Sequence, residues 1–430
     1  VESILTHAEW SVELLEGDDA FDRCAPDWDR LYRRCSTATP FQARQWLQSW
    51  WRHYGGDSGR LCLIGVRYRG ELVAACALML RRHGPWRVAR PVGTRESDFC
   101  DVLVDDSGVH GTPDPRRSVE HLAVAIRDEL RFDALDFGDV RPTAAAVRIY
   151  QTWPGRRAAV PGMLCLSFPA RPILEAVDGM SGHARRRLKA KIRKIDDHGL
   201  QVRRVPCEEA AQAVADLLAL HHKQWSGRGI SREHLRPRFA AHLAAVATLD
   251  PGPAAADHPA DFEAILFEYS RKLPEADEPE VVALDLMLVG NGLLGDYLYG
   301  HEPGLRLDLD VSTMFVRTDL AYAHSRGLAE MSLLRGAEQH KLRLRPSQAR
   351  NTRFLMAGTA WGAGWLRAVR TRRFGVRVLK KLLHRQDGGS RPGRQRWTRG
   401  SWRSATPRPG SSRRSSRRGC RGWRSSAASK

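Results

Sequence analysis

The sequence predicts an α/β protein of the α+β kind: two tandem units with mixed, mostly antiparallel sheets, followed by a disordered basic tail. Three observations carry this. Arg69-Gly70 and Asn291-Gly292 each join two apolar runs into a hairpin. Around each hairpin the order is the same, helix, hairpin, helix, buried strand. Beyond residue 385 the chain almost loses its aliphatic side chains.

The elements follow in order. After a strand-like start, Thr39-Pro40 opens a helix whose stretch 41-FQARQWLQSWWRHYGG-56 places Phe41, Trp46, Leu47, Trp50 and Tyr54 near helical spacing. The hairpin occupies 61-LCLIGVRYRGELVAACALMLRR-82. A strand fits 98–105, a helix 117–131 and a buried strand 132–140. In the second unit, helices fit 181–197, 208–225 and part of 238–260, and a strand fits 263–271. The hairpin 281-VVALDLMLVGNGLLGDYLYG-300 turns at Asn291-Gly292, since a type I′ turn needs positive φ at both central residues. A helix over 311–326 ends at Gly327, a left-handed cap, and the stretch 331-MSLLRGAEQHKLRL-344 begins as the next strand. The division is 1–160, 161–385 and a tail at 386–430.

Bulk properties narrow the function. The net charge is +20, but residues 385–430 hold thirteen Arg and one Lys against one Asp, so the remainder carries only +7. That tail reads as an arm for RNA or a membrane, or as an extension without a role. No run of eighteen apolar residues is present, so no transmembrane segment is expected. The acidic start of the chain reads as lacking a secretory leader, and eight scattered cysteines without a Cys-x-x-Cys pair read as reduced thiols in a cytoplasm. No P-loop, nucleophile elbow, His-Glu-x-x-His or dinucleotide fingerprint occurs. The expected chemistry needs no metal and no covalent intermediate.

Four places hold chemistry-bearing residues. The helix 181-SGHARRRLKAKIRKI-195 has one apolar stripe, Leu188, Ile192 and Ile195, with Arg185, Lys189 and five other cations around it. It reads as a solvated helix or as a guide for a phosphate-bearing ligand. The helix 208–225 aligns His221 and Trp225 on one face, and Arg228 follows at its exit. The loop 300-GHEPGLRLDLDVST-313 leads Gly304 to a helix start at Ser312 and Thr313, where free N–H groups suit a pyrophosphate, with Asp310 or Ser312 as cap. Finally, Arg335 and Lys341 are expected to face one cleft beside that helix start. Gly336 would let the backbone approach a ligand, and Glu338 would orient a cation or accept a proton.

The stretches 39–56, 97-SDFCDVLVD-105, 185-RRRLKAKIRK-194, 221-HHKQWSGRG-229, 297-YLYG-300 and 334-LRGAEQHKLRL-344 together resemble the GNAT-type acyltransferases of the cellulose-biosynthesis (CelD-like) family, relatives of the FemABX peptidyltransferases. The resemblance covers about residues 30–385. It implies two tandem GNAT-like domains, with acetyl-CoA or another acyl-CoA as donor. Arg335, Gly336 and Lys341 match the family's Asp-Phe-x-Arg-Gly-Asp-x-x-Tyr-Lys pattern, whereas Ser332-Leu333 and His340 depart from it.

On this reading Glu338 and His221 are catalytic. Arg335, Gly336, Lys341, Trp225 and Arg228 bind substrate, and Gly304, Ser312, Thr313, Arg185 and Lys189 bind the donor. The expected reaction is N- or O-acyl transfer to a small-molecule or glycan acceptor, a sugar or polysaccharide precursor, alongside polysaccharide-synthesis proteins. The alternatives are aminoacyl transfer from tRNA to a cell-wall precursor, and a non-catalytic accessory role.

Overall fold

The computed structural model describes residues 9–371 except 57–58, 110, 178, 228, 251–260, 273–278 and 337. The tail expected at 386–430 lies outside the described residues. The described residues belong to one compact unit, and among them no helix is long and apolar enough to cross a membrane.

Among the described residues, thirteen strands build a single sheet. In chain order they are β1 (Trp10–Glu16), β2 (Gly59–Tyr68), β3 (Glu71–His83), β4 (Trp86–Pro91), β5 (Leu103–Val104), β6 (Ala134–Val140), β7 (Arg157–Pro169), β8 (Gln201–Arg204), β9 (Glu263–Arg271), β10 (Glu280–Gly290), β11 (Leu293–His301), β12 (Glu330–Arg335) and β13 (Ser347–Ala357). Their order across the sheet is β1-β2-β3-β4-β6-β13-β7-β12-β11-β10-β9-β8, with β5 beside β3.

The two halves share one plan. β1 to β4 form an antiparallel meander, the helix Pro115–Glu129 crosses over, and β6 returns parallel to β4. β8 to β11 do the same, the helix Val311–Ser325 crosses over, and β12 returns parallel to β11. All other strand pairs are antiparallel, as the hairpin signals require.

Both turns have the expected geometry: φ is 51° and 86° at Arg69 and Gly70, and 52° and 78° at Asn291 and Gly292. The 98–105 strand shrinks to the two residues of β5, and a 3-10 turn, Pro40–Gln42, precedes the helix Arg44–Tyr54. The basic helix runs over Gly182–Asp197 and buries Leu188 and Ile195, with Ile192 partly covered, so its apolar stripe faces the core.

The halves are joined by exchange. β7 follows the first half in sequence but pairs with β12 of the second, and β13 follows the second half but pairs with β6 of the first. β7 and β13 then pair with each other and close the sheet. The 160/161 division expected from the sequence therefore falls inside β7, and β13 lies on the far side of it. Long-range pairing, which leaves no local mark in a sequence, decides this.

Backbone contact seats the second half's helix Ala210–Trp225 on β11. A Cβ at Gly300 would stand 2.6 Å from both the His221 nitrogen and the Leu217 carbonyl oxygen. Those are main-chain atoms and cannot rotate away. Gly300→Ala is expected to destabilise the protein by about 1–3 kcal/mol, read as a lower midpoint in denaturant.

Candidate active site

The parallel pair β11–β12 is short. Leu293–Gly295 lie beside Glu330–Ser332, and there the pairing stops although both strands continue. A bulge in β12 ends it. Leu334 takes φ +54°, rare for a branched side chain, and the register against β7 shifts between Ser332 and Arg335. The Ser332 hydroxyl accepts a hydrogen bond from the Leu334 amide at 3.1 Å and holds the bulge. Bulges re-aim the following side chain, and the strands open into a fork.

The Arg335 residue just past the bulge points to the first half. Its Nε donates to Asp98 at 2.7 Å, its Nη1 to Asp139 at 2.9 Å and its Nη2 to the Arg95 carbonyl at 2.6 Å. Its own amide donates to Asp98 as well. Burial opposes the guanidinium charge, but the Asp98 and Asp139 carboxylates outweigh it and its pKa is raised. The cation expected to await an anionic ligand is thus held by two carboxylates.

Lys341 caps the fork from the other side. Its Nζ donates to the Leu333 carbonyl at 3.1 Å and lies 3.6 Å from Glu338. The two cations have separate partners, and only Arg335 lines the nearby cleft. Gly336 takes φ +127°, and a Cβ there would come within 2.6 Å of the Glu338 carboxylate. The glycine thus makes room for Glu338, which remains half exposed at the start of the turn Gln339–Leu342.

The helix start is occupied by a side chain. Asp310 accepts hydrogen bonds from the Thr313 amide at 3.0 Å and the Thr313 hydroxyl at 2.7 Å, and pairs with Lys191 at 2.5 Å. Burial works against this carboxylate, but the Lys191 and Thr313 hydrogen bonds hold its pKa below the ordinary value. Asp310 is the cap the sequence pointed to. It takes the Thr313 amide that a pyrophosphate would need. Gly304 precedes the short helix Leu305–Asp308, Ser312 is half-buried, and on the basic helix Arg185 is half-buried and Lys189 exposed.

A cleft of about 420 Å³ runs beside the fork, between the halves. Glu96 and Arg335 line it with His234 and Tyr297. The Glu96 Oε2 accepts from the Trp50 indole at 2.8 Å. Burial, partly offset by the Trp50 hydrogen bond, pushes the Glu96 carboxyl up to about 6.

His221 sits behind this wall. Its Nδ1 meets the Tyr299 carbonyl at 2.8 Å, so Nδ1 carries the proton, and Nε2 then accepts from His234 Nδ1 at 3.1 Å. Both ring nitrogens of His221, which the sequence pointed to as catalytic, are engaged within the protein. It orients His234, whose Nε2 keeps a lone pair. Burial and the neighbouring His221 bring the His234 pKa down to about 4. Trp225 is half-buried near His221, at 6.2 Å between ring centres, and its indole N–H is buried without a partner. Arg228 lies outside the described residues.

Sequence reading missed Glu96, His234, Asp98 and Asp139. Asp98 and Asp139 lie in the predicted strands 98–105 and 132–140, where they read only as strand residues. Nothing local distinguishes these residues, because the site forms only when the halves meet.

Residues 182–342 match the family described as the acetyltransferase (GNAT) domain. No curated protein matches the sequence. Among solved structures, FemX is similar at a TM-score of 0.55 and 11% identity, over 77% of this chain and 95% of that one. A protein of unknown function from Bacteroides thetaiotaomicron follows at 0.48 and 9%, over 80% and 100%. The C-terminal domain of a putative lysylphosphatidylglycerol synthetase from Agrobacterium fabrum follows at 0.46 and 10%, over 81% and 96%. The likeness of fold rests on the first of these. Residues 182–342 are therefore similar to a GNAT acetyltransferase domain, within a fold similar to that of FemX.

Proposed function

We propose that the protein transfers an acyl group from acyl-CoA to an amine or hydroxyl of a sugar or polysaccharide precursor, with Glu96 as the general base. The observation that carries this is the fork between β11 and β12, opening beside the cleft that holds Glu96. A fork in a parallel pair frees main-chain N–H and C=O groups, which can hold an extended donor and a developing oxyanion. The cleft then presents the acceptor to the thioester carbon. Glu96 takes the acceptor's proton, the nucleophile adds, and the thiolate leaves. A carboxylate with a pKa near 6 is ionised at neutral pH yet more basic than an exposed one, which suits this task. Lys341 and Glu338 stand at the rim of the fork. Arg335 fixes the cleft wall by tying Asp98 and Asp139 to β12.

A second reading is favoured by the basic helix. Among the described residues Arg185, Arg186, Arg187, Lys189, Arg193 and Lys194 make no ion pair, and only Lys191 does. Six unpaired cations on one helix suit a nucleic-acid backbone, and with it an aminoacyl-tRNA donor. A thermal melt with each donor separates the readings. A coenzyme donor predicts a higher melting point with acetyl-CoA, by about 2.7 kcal/mol of stabilisation at a hundred times Kd. A rise with tRNA alone, lost between low and moderate salt, moves the proposal to aminoacyl transfer. No response to either, with no thiol release from acetyl-CoA, leaves the accessory role.

A further inference from the structure

We propose that Asp285, Asp296 and Asp319 form a binding site for a hard divalent cation beneath the fork. The three come from β10, β11 and the helix Val311–Ser325, and one carboxylate oxygen of each lies within 4.8 Å of the others. Asp285 and Asp319 are fully buried and Asp296 nearly so. Both oxygens of Asp285, both of Asp319 and Oδ1 of Asp296 meet no donor group, and the Asp285 and Asp319 carboxyls stand within hydrogen-bond reach of each other. Among the described residues no Lys or Arg stands within ion-pair distance of any of them.

Tyr269 supplies a separate observation. It is fully buried on β9, two residues from the position opposite Asp285, and so shares its face of the sheet. Its hydroxyl has no hydrogen-bond partner. The hydroxyl thus stands on the face of the sheet that carries Asp285.

Buried polar atoms without partners are costly, and buried like charges more so. A cation resolves both. With metal–oxygen distances of about 2.1–2.4 Å, no two oxygens on one ion stand more than about 4.2–4.8 Å apart, and the three here lie within that limit. All the donors are oxygen, which selects Mg2+, Ca2+ or Mn2+ over softer metals. Burial holds the Asp296 pKa above the usual carboxylate range, and the field of Lys341 works against that. Three carboxylates and one ammonium then leave two negative charges. Such an ion would lock the helix to the hairpin that carries the fork. The three residues are far apart in sequence, so no motif announces them.

The test uses the full chain, stripped with a chelator and dialysed. Equilibrium dialysis against Mg2+, Ca2+ or Mn2+ is expected to leave one ion per chain. The melting point is expected to rise with that ion and not with NaCl at equal ionic strength. Asp285→Asn/Asp319→Asn is expected to bind no ion, to lose the rise, and to melt above the stripped wild type because the repulsion is gone. Asp319→Asn alone gives the same comparison if the double variant folds poorly. A wild type that retains no divalent ion and gains no stability overturns the site, as does a double variant that responds like the wild type. Neither readout depends on acyl transfer.

Discussion

Arg335→Ala is expected to destabilise the protein by about 3–5 kcal/mol, the largest loss of any single change at the site. The reason is what it leaves behind. Asp98 and Asp139 would lose their shared cation, and their side chains are only 11% and 22% exposed. Asp139 already has a raised pKa, because burial disfavours its charge and Arg335 offsets that only in part. The Arg95 carbonyl loses a donor as well. Arg335→Lys is expected to recover little, since an ammonium cannot reach two carboxylates and a carbonyl in the plane of a fork. Denaturant unfolding measures the effect. A variant as stable as the wild type, with a raised KM instead, would restore Arg335 as a ligand-binding cation.

Glu96→Gln is expected to lower kcat by about 10²–10⁴-fold while leaving the fold intact. The wild-type rate should fall as pH drops below about 6, where the carboxyl protonates, and the variant should lack that limb. Stability runs the other way. The folded carboxyl holds its proton up to about 6, above the ordinary 4.5, so the folded state binds more protons between those values. Wild-type stability is then lost as pH rises through that window, by about 2 kcal/mol in all. The glutamine has no charge to bury and can still accept from Trp50. Near neutral pH the variant should therefore melt no lower than the wild type. A full wild-type rate in Glu96→Gln would remove Glu96 from the mechanism, and His234 would be the next side chain to test by the same pH profile.

The hairpins, the crossing helices and the inward stripe of the basic helix were legible because each is written in neighbouring residues. Asn291-Gly292 fixes a turn whatever surrounds it, and Asp310 caps the helix that begins after it. The stretch 331–344 shows where local reading stops. Its Arg, Gly, Glu and Lys read as a single anion-binding set, and in the fold they divide. Arg335 serves the first half, Gly336 makes room for Glu338, and Lys341 holds a carbonyl of the fork. The bulge at Leu334 separates them, and no propensity scale marks a leucine for positive φ.

By itself the sequence determined the mixed α/β plan, its two like halves and the positions of the turns and caps, since these depend on side-chain period and backbone preference over a few residues. The tertiary structure alone decided the exchange of β7 and β13, the cleft with Glu96 and His234, and the meeting of Asp285, Asp296 and Asp319. Those depend on contacts between residues tens to hundreds of positions apart, where the chain entropy of closing the loop is offset by the whole sheet rather than by any local signal.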